Sequence, residues 1–332
     1  MALCDRLEAA RTEREAKRDR LTAASLTRLN TPDPDPDTFA DHARFVLDNL
    51  STITARRDQV KQLRQTILNL AVRGKLVPQD PNDKPVSVLL HELHSAKHKL
   101  HDEENIRDRK ALTGISRTDL AFDIPVSWEL SKFDDVFVII SGVTKGRNLS
   151  GQATMDVPYL RVANVQRGYL DLSIVKNITI RDDELDRYRL LPGDVVMTEG
   201  GDWDKLGRAA IWFDDLPVCV HQNHIFRVRS PDVSKLLPHW VIIYTNSLLG
   251  RSFFENASKQ TTNLASINMT QLRGCPLPLP PTAEQHRIVA KVDELMTLCD
   301  RLEASIGGSD DTRSRLLSAL LHDALSEPEA DE

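Results

Sequence analysis

The chain has 332 residues, 40% hydrophobic and 28% charged, with a formal net charge of −6. That length supports two or three domains with a buried core, and the acidic balance argues against indiscriminate polyanion binding while leaving room for a local basic face. No apolar run approaches the ~18 residues of a membrane span, the charged N-terminal stretch is not a secretory leader, and Cys4, Cys219, Cys275 and Cys299 have neither metal-binding nor redox spacing, so a reduced, cytoplasmic protein is expected.

Residues 1–29 are rich in helix formers and predict a helix with a charged face. Their first ten residues return at 296–305: Met1, Leu3 to Ala9 match Met296, Leu298 to Ala304 at an offset of 295. Further on, Arg18, Arg20, Leu21, Ala24 and Leu26 meet Arg313, Arg315, Leu316, Ala319 and Leu321. One helical segment therefore occurs twice around one large block, and the chain reads as one period of a longer tandem repeat. Thr31-Pro-Asp-Pro-Asp-Pro-Asp37 is an extended, semi-rigid linker. Residues 38–73 predict a single long helix of roughly 54 Å. Its stripe of Val46, Leu50, Ile53, Val60, Leu63, Ile67 and Leu70 has the near-heptad spacing of a coiled coil. Gly74 and Pro78 end it, and residues 86–113, polar with several His and Lys, predict another helix.

At Ile124-Pro-Val-Ser-Trp128 the character changes. Short β-rich runs follow at 136–140, 158–162, 170–180, 194–197, 209–213 and 225–228, separated by turn residues. Residues 235–255 predict helix, Cys275-Pro-Leu-Pro-Leu-Pro-Pro281 a rigid strap. In the last helix, Ile288, Val292, Leu295, Cys299, Leu302 and Ile306 alternate steps of four and three, a coiled-coil seam. Gly307-Gly308 is expected to interrupt it before Thr312–Leu325 resumes. The expected fold is α+β: one mixed, mostly β domain flanked by long coiled-coil-forming helices. The expected boundaries are a helical region at 1–115, the β-rich domain at 120–280, and a long helix with an acidic tail at 281–332.

No catalytic signature survives inspection. The phosphate-binding loop Gly-x4-Gly-Lys-Ser/Thr is absent, as are the nucleophile elbow Gly-x-Ser-x-Gly and the Asn/Asp-Pro-Pro-aromatic tetrapeptide of amino-methyltransferases. His221 and His224 are three apart in a predicted strand, which points their rings to opposite faces and argues against a metal pair. The loops of the β domain say more. Residues 141–170 hold Lys145, Arg147, Arg161 and Arg167 against the single acid Asp156, interleaved with Asn148, Gln152, Asn164, Gln166 and Tyr169. Arg and Lys read guanine, Asn and Gln read adenine, and cations hold phosphates. The segments around Trp203 and Lys205 and at Lys259-Gln-Thr-Thr-Asn263 have the same character, and the glycines at 200 and 201 would let backbone approach a partner. Composition alone also fits ordinary polar loops.

The stretch Pro278-Leu-Pro-Pro-Thr-Ala-Glu-Gln-His-Arg-Ile-Val-Ala-Lys-Val-Asp-Glu-Leu-Met296 resembles the passage from a target recognition domain into the helix that follows it in type I restriction–modification specificity subunits. Arg64-Gln-Thr-Ile-Leu-Asn-Leu-Ala-Val-Arg-Gly-Lys-Leu-Val-Pro-Gln-Asp80, Tyr159–Val165, Gly193–Thr198, Leu206-Gly-Arg208, His221-Gln-Asn223 and Thr261–Ile267 are similar to other segments of that family, in its order. The family's subunits carry two recognition domains, each reading half of a split DNA site, and this chain resembles a half-length form with one. The resemblance implies a non-catalytic subunit with no cofactor of its own. Its partners would be double-stranded DNA, methyltransferase subunits that bind S-adenosylmethionine, and a restriction/translocase subunit. Within that frame the basic and amide-rich loops predict DNA contacts at Lys145, Arg147, Arg161, Asn164, Gln166, Arg167, Tyr169, Trp203, Lys205, Lys259, Gln260, Thr261 and Asn263, and the apolar stripes of the long helices predict partner contacts at Val60, Ile67, Ile288, Val292, Leu295 and Leu302. A two-fold homodimer would restore the second recognition domain. The competing readings are a coiled-coil scaffold whose β domain binds protein and the recognition domain of a self-contained DNA-modifying enzyme.

Overall fold

The computed structural model describes residues 2–31, 35–49, 53–106, 109–201, 205–260 and 265–325. In chain order the helices are α1 (Ala2–Asn30), α2 (Pro36–Asp48), α3 (Arg57–Val72) and α4 (Val86–Glu103). There follow β1 (Glu129–Lys132), α5 (Phe133–Val136), β2 (Val138–Ser141), β3 (Thr154–Leu160), β4 (Lys176–Arg181), α6 (Leu185–Tyr188), β5 (Val195–Thr198), β6 (Gly200–Gly201), β7 (Ala209–Ile211), β8 (Val220–His221) and β9 (Ile225–Arg229). The chain ends in α7 (Pro238–Asn246), α8 (Leu248–Ala257), β10 (Lys259–Gln260), β11 (Ala265–Ser266), α9 (Met269–Arg273), β12 (Pro276–Leu279) and α10 (Thr282–Leu325). It divides into a helical unit, residues 1–67 with 292–332, and a second unit, residues 68–291, that contains the sheets.

In the helical unit the long helix expected at 38–73 is not continuous among the described residues: residues 54–56 are non-helical and α3 begins at Arg57. Ser51-Thr-Ile-Thr54 is a β-branched run of low helix propensity. The side-chain oxygen of Gln59 accepts from the amides of Ala55 (2.8 Å) and Arg56 (3.1 Å), which caps the start of α3. Val46, Ile53 and Val60 are all buried despite the break; Leu50 lies outside the described residues. α1 docks through buried Ser25, Leu26 and Leu29, Thr22 donates to the Ile53 carbonyl, and Asn30 donates to Thr66 at 2.9 Å. Arg64 of α3 donates to Asp300 (2.6 Å) and Glu303 (3.2 Å) of α10. The expected interruption at Gly307-Gly308 does not occur: α10 runs through both. Two glycines cost such a helix only about 1 kcal/mol each, and a Cβ on Gly307 would stand 3.1 Å from the Arg57 guanidinium. The two copies of the repeat meet different surroundings: Cys299 is buried, whereas its counterpart Cys4 is exposed, as is Leu7.

The second unit is built on a four-stranded antiparallel sheet ordered β2-β9-β5-β7 and a three-stranded sheet ordered β4-β3-β8, in which β3 and β8 are parallel. Every residue of β5, β7 and β9 is buried, the pattern of strands covered on both faces. β4 alternates and keeps one face in solvent. Trp212, Leu160, Leu190, Val196 and Ile225 form one core cluster; Val157, Tyr159, Ile180 and Val220 form a second. The expected helix at 235–255 is split at Ser247, whose hydroxyl accepts from the Gly250 amide and so starts α8.

β1 pairs antiparallel with β12, so the domain begins and ends on adjacent strands. The motif after β12 closes this clasp. Trp128 donates its indole N–H to Glu284 at 2.9 Å and stands edge-on to Trp240, with ring centroids 5.4 Å apart. The Gln285 side chain accepts from the Leu237 amide at 3.0 Å and donates to the Pro280 carbonyl at 3.0 Å. Burial pushes the Glu284 carboxyl above its ordinary value of 4.5, against hydrogen bonds from Trp128 and Gln79 that lower it. A raised folded-state value means the folded chain binds more protons than the unfolded one. Glu284 therefore contributes stability that is present below pH 4.5 and lost as pH rises through the folded-state value. Melting temperature measured against pH should show that fall in the wild type and not in Glu284→Gln; parallel curves would sink the assignment.

Arg227 and Arg229, both buried, share one network. Arg229 is bound bidentately by Asp194 (2.7 and 2.6 Å), and Glu104, following α4, accepts from both Arg227 and Arg229.

Candidate nucleic-acid interface

Three segments converge where β5 ends. β6 continues from β5 and pairs with β11, which pairs with β10, so the segment after Thr198 is stitched to the segment around 259–266. The Ile267 amide donates to the Glu199 carbonyl at 2.9 Å. A Cβ on Gly200 would stand 2.2 Å from the Ala265 carbonyl oxygen. Gly200 thus admits the chain's own backbone, where the sequence had suggested an external partner. Gly200→Ala is expected to cost about 1–3 kcal/mol and to separate β6 from β11. Denaturant unfolding checks this, and an unchanged midpoint would contradict it.

The third segment is the loop after β3. The Asn164 side chain accepts from the Arg161 amide (2.9 Å) and donates to the carbonyls of Asp171 (2.8 Å) and Ile174 (3.0 Å). Val165 and Leu170 then form a bridge, and Gly168, at φ 87°, turns the hairpin tip. This tip is seated on the segment before β7: the Gly168 amide donates to the Ala209 carbonyl at 2.9 Å. Arg167 donates to the Leu206 carbonyl at 3.2 Å, and Arg208 donates to the Gln166 side chain at 2.8 Å. Tyr169 projects from the tip with 61% of its surface exposed.

Arg161, at the end of β3, donates to the Ile174 carbonyl at 2.9 Å; the structure brings together Gln166, Arg167, Tyr169 and Lys205, and adds Arg208, absent from the expected contacts. Its signal was the Leu-Gly-Arg run itself. Glu199, the nearby acid, is engaged at 2.7 Å by His224. Two expected contacts serve the fold instead. Asn164 is 3% exposed, with its amide consumed within the loop. Arg147 is clamped on Glu184 by two bonds of 2.7 and 2.8 Å, which hold that carboxyl below its usual range. Lys145 stays exposed on the neighbouring loop. Lys259 and Gln260 form β10; Trp203, Thr261 and Asn263 lie outside the described residues.

Of the expected partner contacts, Val60, Ile67, Ile288, Val292 and Leu295 are buried within the chain. Their stripes are satisfied internally, so they are core. Leu302 alone of the six is only partly buried. Buried His221 bonds the Ile225 carbonyl at 2.9 Å, and desolvation lowers its pKa to about 3. Among the described residues no group of three or more His, Cys, Asp or Glu could hold a metal ion. None of their helices is long and apolar enough to cross a membrane.

A family model described as type I restriction modification DNA specificity domain matches residues 125–307. The chain is 30% identical over 335 residues to the type I restriction enzyme EcoAI specificity subunit of Escherichia coli, covering 98% of this chain and 55% of that protein. It is 27% identical over 334 residues to the EcoEI specificity subunit of Escherichia coli, with the same coverage. The chain thus spans about half the length of these curated relatives. The crystal structure of the HsdS subunit from Thermoanaerobacter tengcongensis is similar at a TM-score of 0.41 and 18% identity, over 80% of this chain and 58% of that one.

Proposed function

The chain belongs to the type I restriction modification DNA specificity family, and from that premise we propose that it is a non-catalytic DNA-reading subunit that recognises one half of a bipartite site. The observation that supports this is the loop cluster: Gln166, Arg167, Tyr169, Lys205 and Arg208 gathered on segments stitched by Arg167–Leu206 and Arg208–Gln166. Cations and amides of this kind bind phosphates and base edges, and an exposed tyrosine adds a flat apolar contact. The helical unit is proposed to carry the methyltransferase subunits, which would bring S-adenosylmethionine, and to recruit a restriction/translocase subunit. A two-fold homodimer would read two identical inverted half-sites separated by unread bases.

Fluorescence anisotropy of the purified chain with duplex DNA over a salt series tests DNA binding. Affinity should fall steeply with salt, with a slope of about 0.9 per neutralised phosphate. Salt-independent binding, or none, would favour a protein-binding scaffold. For assembly, Leu302→Glu should reduce co-purification with the methyltransferase while leaving the fold intact; full recovery of the complex would count against the helical unit as its seat.

A further inference from the structure

A small cavity of about 120 Å³ opens at the start of β2, the end opposite Gly142 and the loop of Lys145. It is lined by Lys97, His98 and His101 of α4, by Arg109, by Asp134 of α5 and by Arg273 of α9. Asp134 is the lining carboxylate, and Arg273 already binds it at 2.7 and 2.8 Å. Lys97 donates to the Asp134 backbone carbonyl, and Arg109 donates to the Ile139 carbonyl at 3.3 Å. Neither cation has an ion pair with a described carboxylate. Lys97 is half-buried and Arg109 stands exposed at the rim; partial desolvation lowers the basicity of each, against the pull of Asp134 and, for Lys97, Asp135. Crowding Lys97, Arg109 and Arg273 around one lining carboxylate leaves unbalanced positive charge there, at a cost in mutual repulsion. The cost is offset when an oxyanion enters and accepts charge-assisted hydrogen bonds.

We propose that this cavity binds one phosphate group, held by Lys97 and Arg109 and biased by the fixed Arg273. β2 spans four residues, ~13 Å of strand at ~3.3 Å per residue, so the group is not part of the bases read by the loops. It is either a backbone phosphate of DNA beyond the read segment or a free phosphoryl group.

The test uses the full chain with sodium phosphate against sodium chloride at equal ionic strength, and then duplex DNA. For a free phosphoryl group, phosphate raises the melting temperature of the wild type, and Lys97→Met and Arg109→Met each weaken phosphate binding about tenfold. Lys99→Met, on the exposed side of the same helix, keeps the wild-type response. For a DNA phosphate, each cavity variant lowers the salt slope of DNA binding by about 1, while Lys99→Met does not. The inference is overturned if the cavity variants match the wild type in both arms. Wild-type chain that binds no DNA would instead sink the proposed function, leaving the phosphate arm to decide the cavity.

Discussion

Replacing Arg167, Tyr169 and Lys205 together with alanine is expected to lower affinity for cognate duplex DNA by at least ~10²-fold, at about 1–3 kcal/mol for each base- or phosphate-contacting side chain. The three side chains belong to two segments, the hairpin tip 165–170 and the stretch before β7, which meet through Arg167 and the Leu206 carbonyl and through the amide of Gly168 and the Ala209 carbonyl. Removing two cations should also flatten the salt dependence by about 2 in slope. Tyr169 is exposed, so its loss leaves no cavity. Circular dichroism should stay near wild type and the unfolding free energy should fall only by the ~0.5–1.5 kcal/mol of the lost Arg167–Leu206 hydrogen bond, which separates lost contacts from a lost fold. Unchanged affinity with an unchanged slope would place the interface elsewhere, with Lys145 and its loop as the first alternative.

Glu104→Ala is expected to destabilise the chain by about 3–5 kcal/mol, the range for breaking a buried ion pair from one side. Glu104 is the acceptor shared by Arg227 and Arg229. Arg227 is 0% exposed, and burial together with neighbouring Arg229 already depresses its basicity. Without Glu104, Arg227 keeps only the carbonyls of Arg187 and Arg189, while Arg229 retains Asp194. Because both arginines lie in β9, next to β5 and β2, the loss should reach the centre of the four-stranded sheet. Urea unfolding measures it, and a change below about 1 kcal/mol, the level of an exposed pair, would show that Arg229–Asp194 carries the network alone.

Element type was legible where one face of a segment is buried and periodic. α1, α10 and most strands fall where propensity and spacing put them. The reading failed where local chemistry overrode a stripe. The stripe of 38–73 looked continuous because Val46, Ile53 and Val60 are all core, yet the Gln59 cap starts a new helix at Arg57. Ser247 divides the helix at 235–255 in the same way. Gly307-Gly308 erred in the other direction, since glycine weakens a helix without excluding it.

In the candidate interface, composition located the right loops but could not say which polar groups the fold keeps. Asn164 and Arg147 have the residue types of a reader and the bonding of a scaffold. That distinction depends on Asp171, Ile174 and Glu184, partners that sequence spacing does not reveal. The internal repeat was plain in the sequence, but its two copies differ in burial, which depends on packing. The stripe positions chosen as partner contacts were apolar for internal reasons.

On the proposed function, the loops of this chain set a DNA sequence. Single-molecule mapping of methylated bases in the host genome tests it most directly, comparing cells with the wild-type gene, without it, and with the Arg167, Tyr169 and Lys205 triple variant. Methylation at one bipartite motif should be present in the first and lost in both others, with inverted identical halves if the working form is the homodimer. A methylation pattern that is the same in all three would contradict the account.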